Sequence, residues 1–90
     1  MDTLHLYHEL EQLLRMNSRY CMDDGTLLKN RIVEDGLSLN PMLIKLLLDN
    51  DKIKVVFFQN VDGVMVFDKV KFQRFVSDTQ FLARHSHQTR

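Results

Sequence analysis

One short segment restricts the fold more than any other: two β-prone runs, 57–61 and 64–67, separated by Asp62-Gly63. Asp-Gly between such runs is typical of a type I′ turn, which needs positive φ at both central residues. This turn fixes a register of three cross-strand pairs, Val61–Val64, Gln59–Val66 and Phe58–Phe67. Both faces of the ribbon are then largely apolar. Because two strands alone are not stable in water, we expect the rest of the chain to cover both faces.

Helical spacing of apolar residues predicts four helices around the hairpin, over roughly 3–20, 26–35, 41–48 and 69–77. Asp2, Asn40 and Asp68 stand where N-caps are expected, and Gly36 is placed to end the second helix in the left-handed conformation. Residues 49–51 end the third helix and are expected to cap a short turn over 52–56. The third helix is apolar on nearly all sides, so it should be the central one. The sequence therefore predicts an α+β, mostly helical fold with about four helices packed around one β-hairpin.

Ninety residues are enough for one small domain, and we assign residues 1–82 to a single module. The polar, aperiodic residues 83–90 are predicted to form a disordered tail. No apolar run approaches the ~20 residues of a membrane span, and no secretory signal is visible at the N-terminus. Cys21 is the single cysteine, which favours a reducing, cytoplasmic environment over secretion.

The net charge is zero, but the charge is divided unevenly along the chain. Residues 1–51 carry five Lys or Arg against nine Asp or Glu, a net −4, and residues 52–90 carry seven against three, a net +4. The basic half permits a polyanion to approach. A solvated helix face or an intramolecular match between the halves explains the division equally well.

No group of residues in the sequence has the pattern of an active site. His5, His8 and Glu9 are the one local cluster of metal-type ligands, but their order matches neither zinc-binding His/Glu pattern, so we place them on the wet side of the first helix. Cys21 is interpreted as a small packed apolar residue. The carboxylate pairs 23–24 and 34–35 are expected at exposed helix ends. We assign no catalytic, cofactor-binding or metal-binding residue.

A small winged-helix-like DNA-binding module is the alternative, because three helices followed by a hairpin is the order of that fold. Its third helix would have to enter the major groove, yet that helix carries a single cation, Lys45. A basic patch could touch phosphates without reading bases. The patch would consist of Lys52, Lys54, Lys69, Lys71, Arg74 and Arg84.

Several segments together resemble a known family in their order and spacing. They are residues 21–30 (Cys-Met-Asp-Asp-Gly-Thr-Leu-Leu-Lys-Asn), 40–48 (Asn-Pro-Met-Leu-Ile-Lys-Leu-Leu-Leu), 57–58 (Phe-Phe), 61–67 (Val-Asp-Gly-Val-Met-Val-Phe) and 72–81. The chain thereby resembles the N-terminal region of type III restriction-modification DNA methyltransferases, the modification subunits. After Leu82 the similarity is expected to end, since a Pro-Asp-Ser-Tyr-Thr-like run does not follow.

The resemblance implies a subunit that transfers a methyl group from S-adenosylmethionine to an adenine of a short DNA target. Such subunits dimerise and associate with a restriction subunit. The family's catalytic Asp-Pro-Pro-Tyr motif needs two prolines, whereas Pro41 is the single proline here, and its Phe-x-Gly cofactor motif is absent. We therefore expect a non-catalytic N-terminal assembly domain without cofactor, not an enzyme on its own. Its expected partners are a second copy, the rest of the methyltransferase or the restriction subunit, with DNA bound through the full-length protein and no membrane.

Overall fold

The computed structural model describes residues 2–21 and 25–83, which form five α-helices and one hairpin. The helices are α1 (Thr3–Arg15), α2 (Gly25–Leu37), α3 (Pro41–Leu48), α4 (Asp51–Phe57) and α5 (Lys69–Ser77), with a 3₁₀ turn at Ser18–Tyr20; the strands are β1 (Phe58–Val61) and β2 (Val64–Phe67). The predicted α+β, mostly helical class is confirmed. The tail predicted over 83–90 lies, from residue 84 on, outside the described residues.

The predicted N-caps are confirmed. An Asp2 carboxylate oxygen accepts a hydrogen bond from His5 N at 2.9 Å, and an Asp68 oxygen accepts one from Lys71 N at 3.0 Å. The Asn40 side chain likewise accepts from the first turn of α3. Each cap satisfies backbone donors that have no partner within the helix.

The turn predicted over 52–56 is wrong, because this segment is the helix α4. The Asn50 side chain caps it by accepting from Lys52 N and Ile53 N at 3.0 and 3.1 Å. Ile53 and Phe57, four residues apart on one face, are both fully buried. A good cap and two buried anchors are enough to make this short segment helical.

The first helix ends five residues earlier than predicted, at Arg15. The Asn17 side chain accepts from Arg19 N at 2.9 Å and so starts the separate 3₁₀ turn. Asn favours such local bonds over a continued helix.

Gly36 does not end α2, which continues to Leu37, and the left-handed residue of this loop is Leu39, with φ 54°. Gly36 instead lies where α2 packs on α5. A Cβ at this position would lie 2.8 Å from the Phe72 ring. The glycine is therefore required by close helix packing, which local sequence cannot reveal.

The core lies between the helices and is centred on aromatic rings. The fully buried residues include Leu10, Ile32, Leu43, Leu47, Phe57, Phe72, Val76 and Phe81. The Phe57 and Phe72 rings meet edge to face with centroids 5.2 Å apart. The other phenylalanines, Phe58, Phe67 and Phe75, also lie in or against this core.

α3 is a surface helix, so its predicted central position is wrong. Leu43 and Leu47 are buried, but Met42 is exposed. Its other three apolar side chains, Ile44, Leu46 and Leu48, are half-buried.

In the part of the chain that the structure describes, no helix has the length and apolarity needed to cross a bilayer.

The hairpin has the predicted register and turn. Val61 pairs with Val64, and both central residues have positive φ, 52° at Asp62 and 84° at Gly63. The Asn60 side chain accepts from Gly63 N at 2.9 Å and supports the turn. No residue separates α4 from β1, and Asp68 alone separates β2 from α5. The hairpin is therefore continuous with two helices of the body.

We predict that Gly63→Val destabilises the domain by about 1–3 kcal/mol, because a β-branched residue is strained at positive φ. Urea unfolding of the variant and the parent measures the loss. Gly63→Asn is the matched control, since Asn tolerates the left-handed region, and it should stay close to the parent. Overlapping unfolding curves for Gly63→Val and the parent would contradict the turn.

Candidate interaction surface

One face of the hairpin is apolar and open to solvent. By the register, Val61, Val64 and Val66 lie on the same face together with Gln59. The exposed fractions of the three valines are 48%, 61% and 46%. We call these three residues the valine face. The expectation that the chain covers both faces of the hairpin is therefore wrong.

The opposite face of the hairpin attaches it to the helices, but only near its base. Phe58 is buried and Phe67 is half-buried, with their ring centroids 5.1 Å apart. The Phe67 ring also lies 5.3 Å from that of Phe72 in α5. Met65, nearer the tip on this face, is 42% exposed. Two phenylalanines are sufficient to anchor the base, which leaves the outer part of the ribbon free to contact another molecule.

Three cations follow the hairpin on α5. Lys69, Lys71 and Arg74 are exposed, and none of the ion pairs formed between described residues includes them. The remaining members of the predicted basic patch behave differently. Lys52 Nζ lies 3.9 Å from a Glu9 carboxylate oxygen and Lys54 Nζ lies 3.8 Å from one of Asp51, while Arg84 lies outside the described residues. The cations of the patch on α4 are thus partly neutralised by carboxylates, whereas those on α5 form no ion pair with the described residues.

The histidine cluster does share one face of α1, as its spacing predicts. His5, His8 and Glu9 line a shallow groove with Gln12 and Lys52. His5 Nδ1 lies 3.2 Å from an Asp2 carboxylate oxygen, and the Lys52 ammonium approaches Glu9. Among the described residues, 2–21 and 25–83, no three His, Cys, Asp or Glu side chains are grouped so as to hold a metal ion.

Cys21 is exposed, so its interpretation as a packed apolar residue is wrong. Its Sγ lies 3.1 Å from the Ser18 carbonyl oxygen, to which the thiol donates. The thiol thus points along the 3₁₀ turn and not into the core.

A buried ionic cluster lies where the sequence predicts exposed carboxylates. Asp35 is 3% exposed, and its carboxylate accepts two hydrogen bonds from the Arg19 guanidinium, at 2.6 and 2.9 Å. The Tyr20 hydroxyl also donates to it. The predicted surface position of the pair Glu34-Asp35 is therefore wrong for Asp35, whereas the pair 23–24 lies outside the described residues.

Burial and the neighbouring groups shift the pKa values of Asp35 and Tyr20 in this cluster. Burial raises the pKa of the Asp35 carboxyl, but the hydrogen bonds from Arg19 and Tyr20 and the charges of Arg19 and Arg31 together outweigh burial, so the net pKa is lowered. The pKa of Tyr20 is raised, first by burial and then by its bond to Asp35. All three groups are locked in a static network, which joins the 3₁₀ turn to α2. We interpret it as a structural clamp.

Comparison with known proteins gives one family. The family model for the type III restriction/modification enzyme methylation subunit matches residues 40–86. The match includes α3, α4, the hairpin and α5, and it extends past Leu82, where we expected the resemblance to end. It does not include the similar segment 21–30. None of the curated proteins and none of the solved structures matches the chain.

We predict that Asp35→Asn lowers the free energy of unfolding at pH 7 by about 1.5–3 kcal/mol, since it removes charge from a buried hydrogen-bonded carboxylate. A carboxyl whose pKa is lower in the folded than in the unfolded state contributes stability to the folded protein. This contribution is fully present above the unfolded pKa and is lost as the pH falls through the folded pKa. The difference between parent and variant should therefore shrink as the pH is lowered below about 4, the pKa of an unfolded Asp.

Urea unfolding at neutral and acidic pH tests this prediction. Glu34→Gln is the control, because it removes a neighbouring but exposed carboxylate and should change stability by less than about 0.5 kcal/mol. Equal effects of the two substitutions at pH 7 would contradict the clamp.

Proposed function

The chain belongs to the type III restriction/modification enzyme methylation subunit family, and on this premise we propose that it is a non-catalytic assembly domain of such a subunit. Its task is to dock on another protein chain: the rest of the methyltransferase, the restriction subunit or a second copy. Methyl transfer from S-adenosylmethionine to adenine would be the work of the full-length enzyme.

The exposed valine face is the observation that carries this proposal. Val61, Val64 and Val66 lie side by side on a ribbon, so they form a continuous apolar strip and not scattered surface residues. Contiguous exposed apolar surface marks protein contact sites. The strip also lies in the segment that matches the family, residues 40–86.

The charges favour a protein partner over DNA. The cation of α3, Lys45, lies 3.1 Å from an Asp49 carboxylate oxygen, and this helix buries Leu43 and Leu47 against the body. Asp62 stands at the tip of the hairpin, where a wing would approach phosphates. A groove-reading helix needs exposed donors aimed at base edges. The winged-helix alternative keeps one observation in its favour, the exposed cations of α5, which form no ion pair with the described residues and could touch phosphates without reading bases, and it serves as the rival outcome of the test below.

The chemistry of the family has no counterpart among these residues. The Asp-Pro-Pro-Tyr and Phe-x-Gly motifs are absent from the sequence. The buried Asp35 is held by Arg19 and Tyr20 and is closed to substrate. We further propose a cytoplasmic location, since an exposed single thiol such as Cys21 suits a reducing compartment.

Docking through the valine face predicts that Val64→Lys weakens the association about tenfold or more, because it places a charge in an apolar contact. The chain would be titrated against the remaining methyltransferase polypeptide, the restriction subunit and itself, by sedimentation. Leu4→Lys is the matched control: Leu4 on α1 is 60% exposed, against 61% for Val64, and its substitution should not change binding.

Titration with duplex DNA at about 50 and 200 mM salt distinguishes the assembly domain from the winged-helix alternative, because phosphate contacts lose affinity steeply over this range. A chain that binds no protein, stays monomeric and binds DNA with a steep salt slope would overturn the proposal in favour of the winged-helix module.

We also predict that the 90-residue chain neither binds S-adenosylmethionine nor methylates DNA, since both sequence motifs are missing. Calorimetric titration with the cofactor is the direct measurement. The full-length methyltransferase is the positive control, and saturable binding of micromolar cofactor by the short chain would contradict the assignment.

A further inference from the structure

The outer edge of β2 presents free backbone groups. Asp68 N donates to Phe57 O at 2.8 Å, which fixes 57 and 68 as a hydrogen-bonded pair of the ladder. Hydrogen-bonded and non-bonded pairs alternate in an antiparallel sheet. The pairs 59–66 and 61–64 are therefore bonded too, and the N–H and C=O groups of Met65 and Phe67 point away from β1.

This edge lacks the features that normally block the addition of another strand. β2 reads Val-Met-Val-Phe, without charge, proline or glycine. It is the second strand of a two-stranded sheet, and no other described segment pairs with it. Natural proteins usually protect such edges with charged side chains, proline or bulges. β1 differs, since Gln59 and Asn60 make its exposed part polar.

The size of the apolar area indicates what kind of partner suffices. The three half-exposed valines of the valine face offer on the order of 200 Å², well below the ~800 Å² per partner of a stable standard interface. A flat surface, such as the same face of a second copy, would gain too little from this contact. An added strand gains main-chain hydrogen bonds as well, so a small apolar area is enough.

The charges of α5 indicate which kind of residue should stand at the ends of the added strand. Lys69, Lys71 and Arg74 lie on α5, which begins one residue after the end of β2, and no ion pair among described residues neutralises them. Acidic residues next to an added strand would meet these cations and set its placement.

We infer that the β2 edge binds an extended segment of a protein partner, with alternating apolar side chains and acidic flanks, as a third strand of the sheet. The inference rests on the proposed assembly function and names the chemistry of the docking segment. The apolar side chains of the added strand extend the valine face, and its backbone pairs with Met65 and Phe67.

A synthetic peptide, Glu-Glu-Val-Thr-Val-Thr-Val-Glu-Glu, is the probe, titrated into the whole chain. Two isomers carry N-methyl groups either on the valine amides or on the threonine amides, so each blocks a different edge of the same peptide. The isomer whose N-methyl groups face away from β2 should bind like the parent peptide. The isomer whose N-methyl groups face β2 should bind about tenfold more weakly, since it loses the hydrogen bonds of the ladder. Replacing the flanking Glu by Lys should weaken binding most at low salt.

Amide hydrogen exchange gives the readout on the protein side. Exchange at Met65 and Phe67 should slow about tenfold or more in the complex, whereas Asn60 on the β1 edge should keep its rate. No saturable peptide binding, equal binding of both isomers, or protection at Asn60 in place of Met65 would each overturn strand addition.

The same exchange measurement with the methyltransferase or restriction subunit separates the two proposals. A subunit that binds without protecting Met65 and Phe67 overturns strand addition and leaves the assembly function standing. If no protein binds while the peptide does so with the expected protection, the assembly function fails and the edge is still a strand acceptor.

Discussion

The edge-to-face contact of Phe57 with Phe72 is the interaction on which the arrangement of this chain depends. Phe57 closes α4, and Phe72 lies on the buried side of α5, so their contact joins the helices on either side of the hairpin. Phe67 extends the same aromatic group into β2. Because two strands cannot hold together in water alone, this group is what makes the ribbon part of the domain.

Features decided by neighbours in sequence were predictable from the residues. The Asp62-Gly63 turn, the register of the strands and the caps at Asp2 and Asp68 each involve contacts within a few residues. The physical cause is local in each case: a required φ or an unpaired backbone donor that a nearby side chain satisfies. The fold class followed from these elements and from the apolar spacing.

Features decided by distant residues were not predictable. Asp35 is buried because Arg19 and Tyr20, some sixteen and fifteen positions earlier, reach its carboxylate. Gly36 is required because a phenylalanine from α5 packs against it. The sequence contains no local sign of either contact. The candidate surface was misjudged for the same reason: alternating apolar residues indicate which side chains share a face, not whether another element covers that face.

The direct junctions at both ends of the hairpin give it a mechanical property. α4 passes into β1 without a connecting residue, and Asp68, whose N–H is bonded to Phe57, is the one residue between β2 and α5. There is thus no hinge at which the ribbon could swing independently. A force applied at the base of the ribbon would pass directly to α4 and α5, so a partner that holds the ribbon there also orients the helical body.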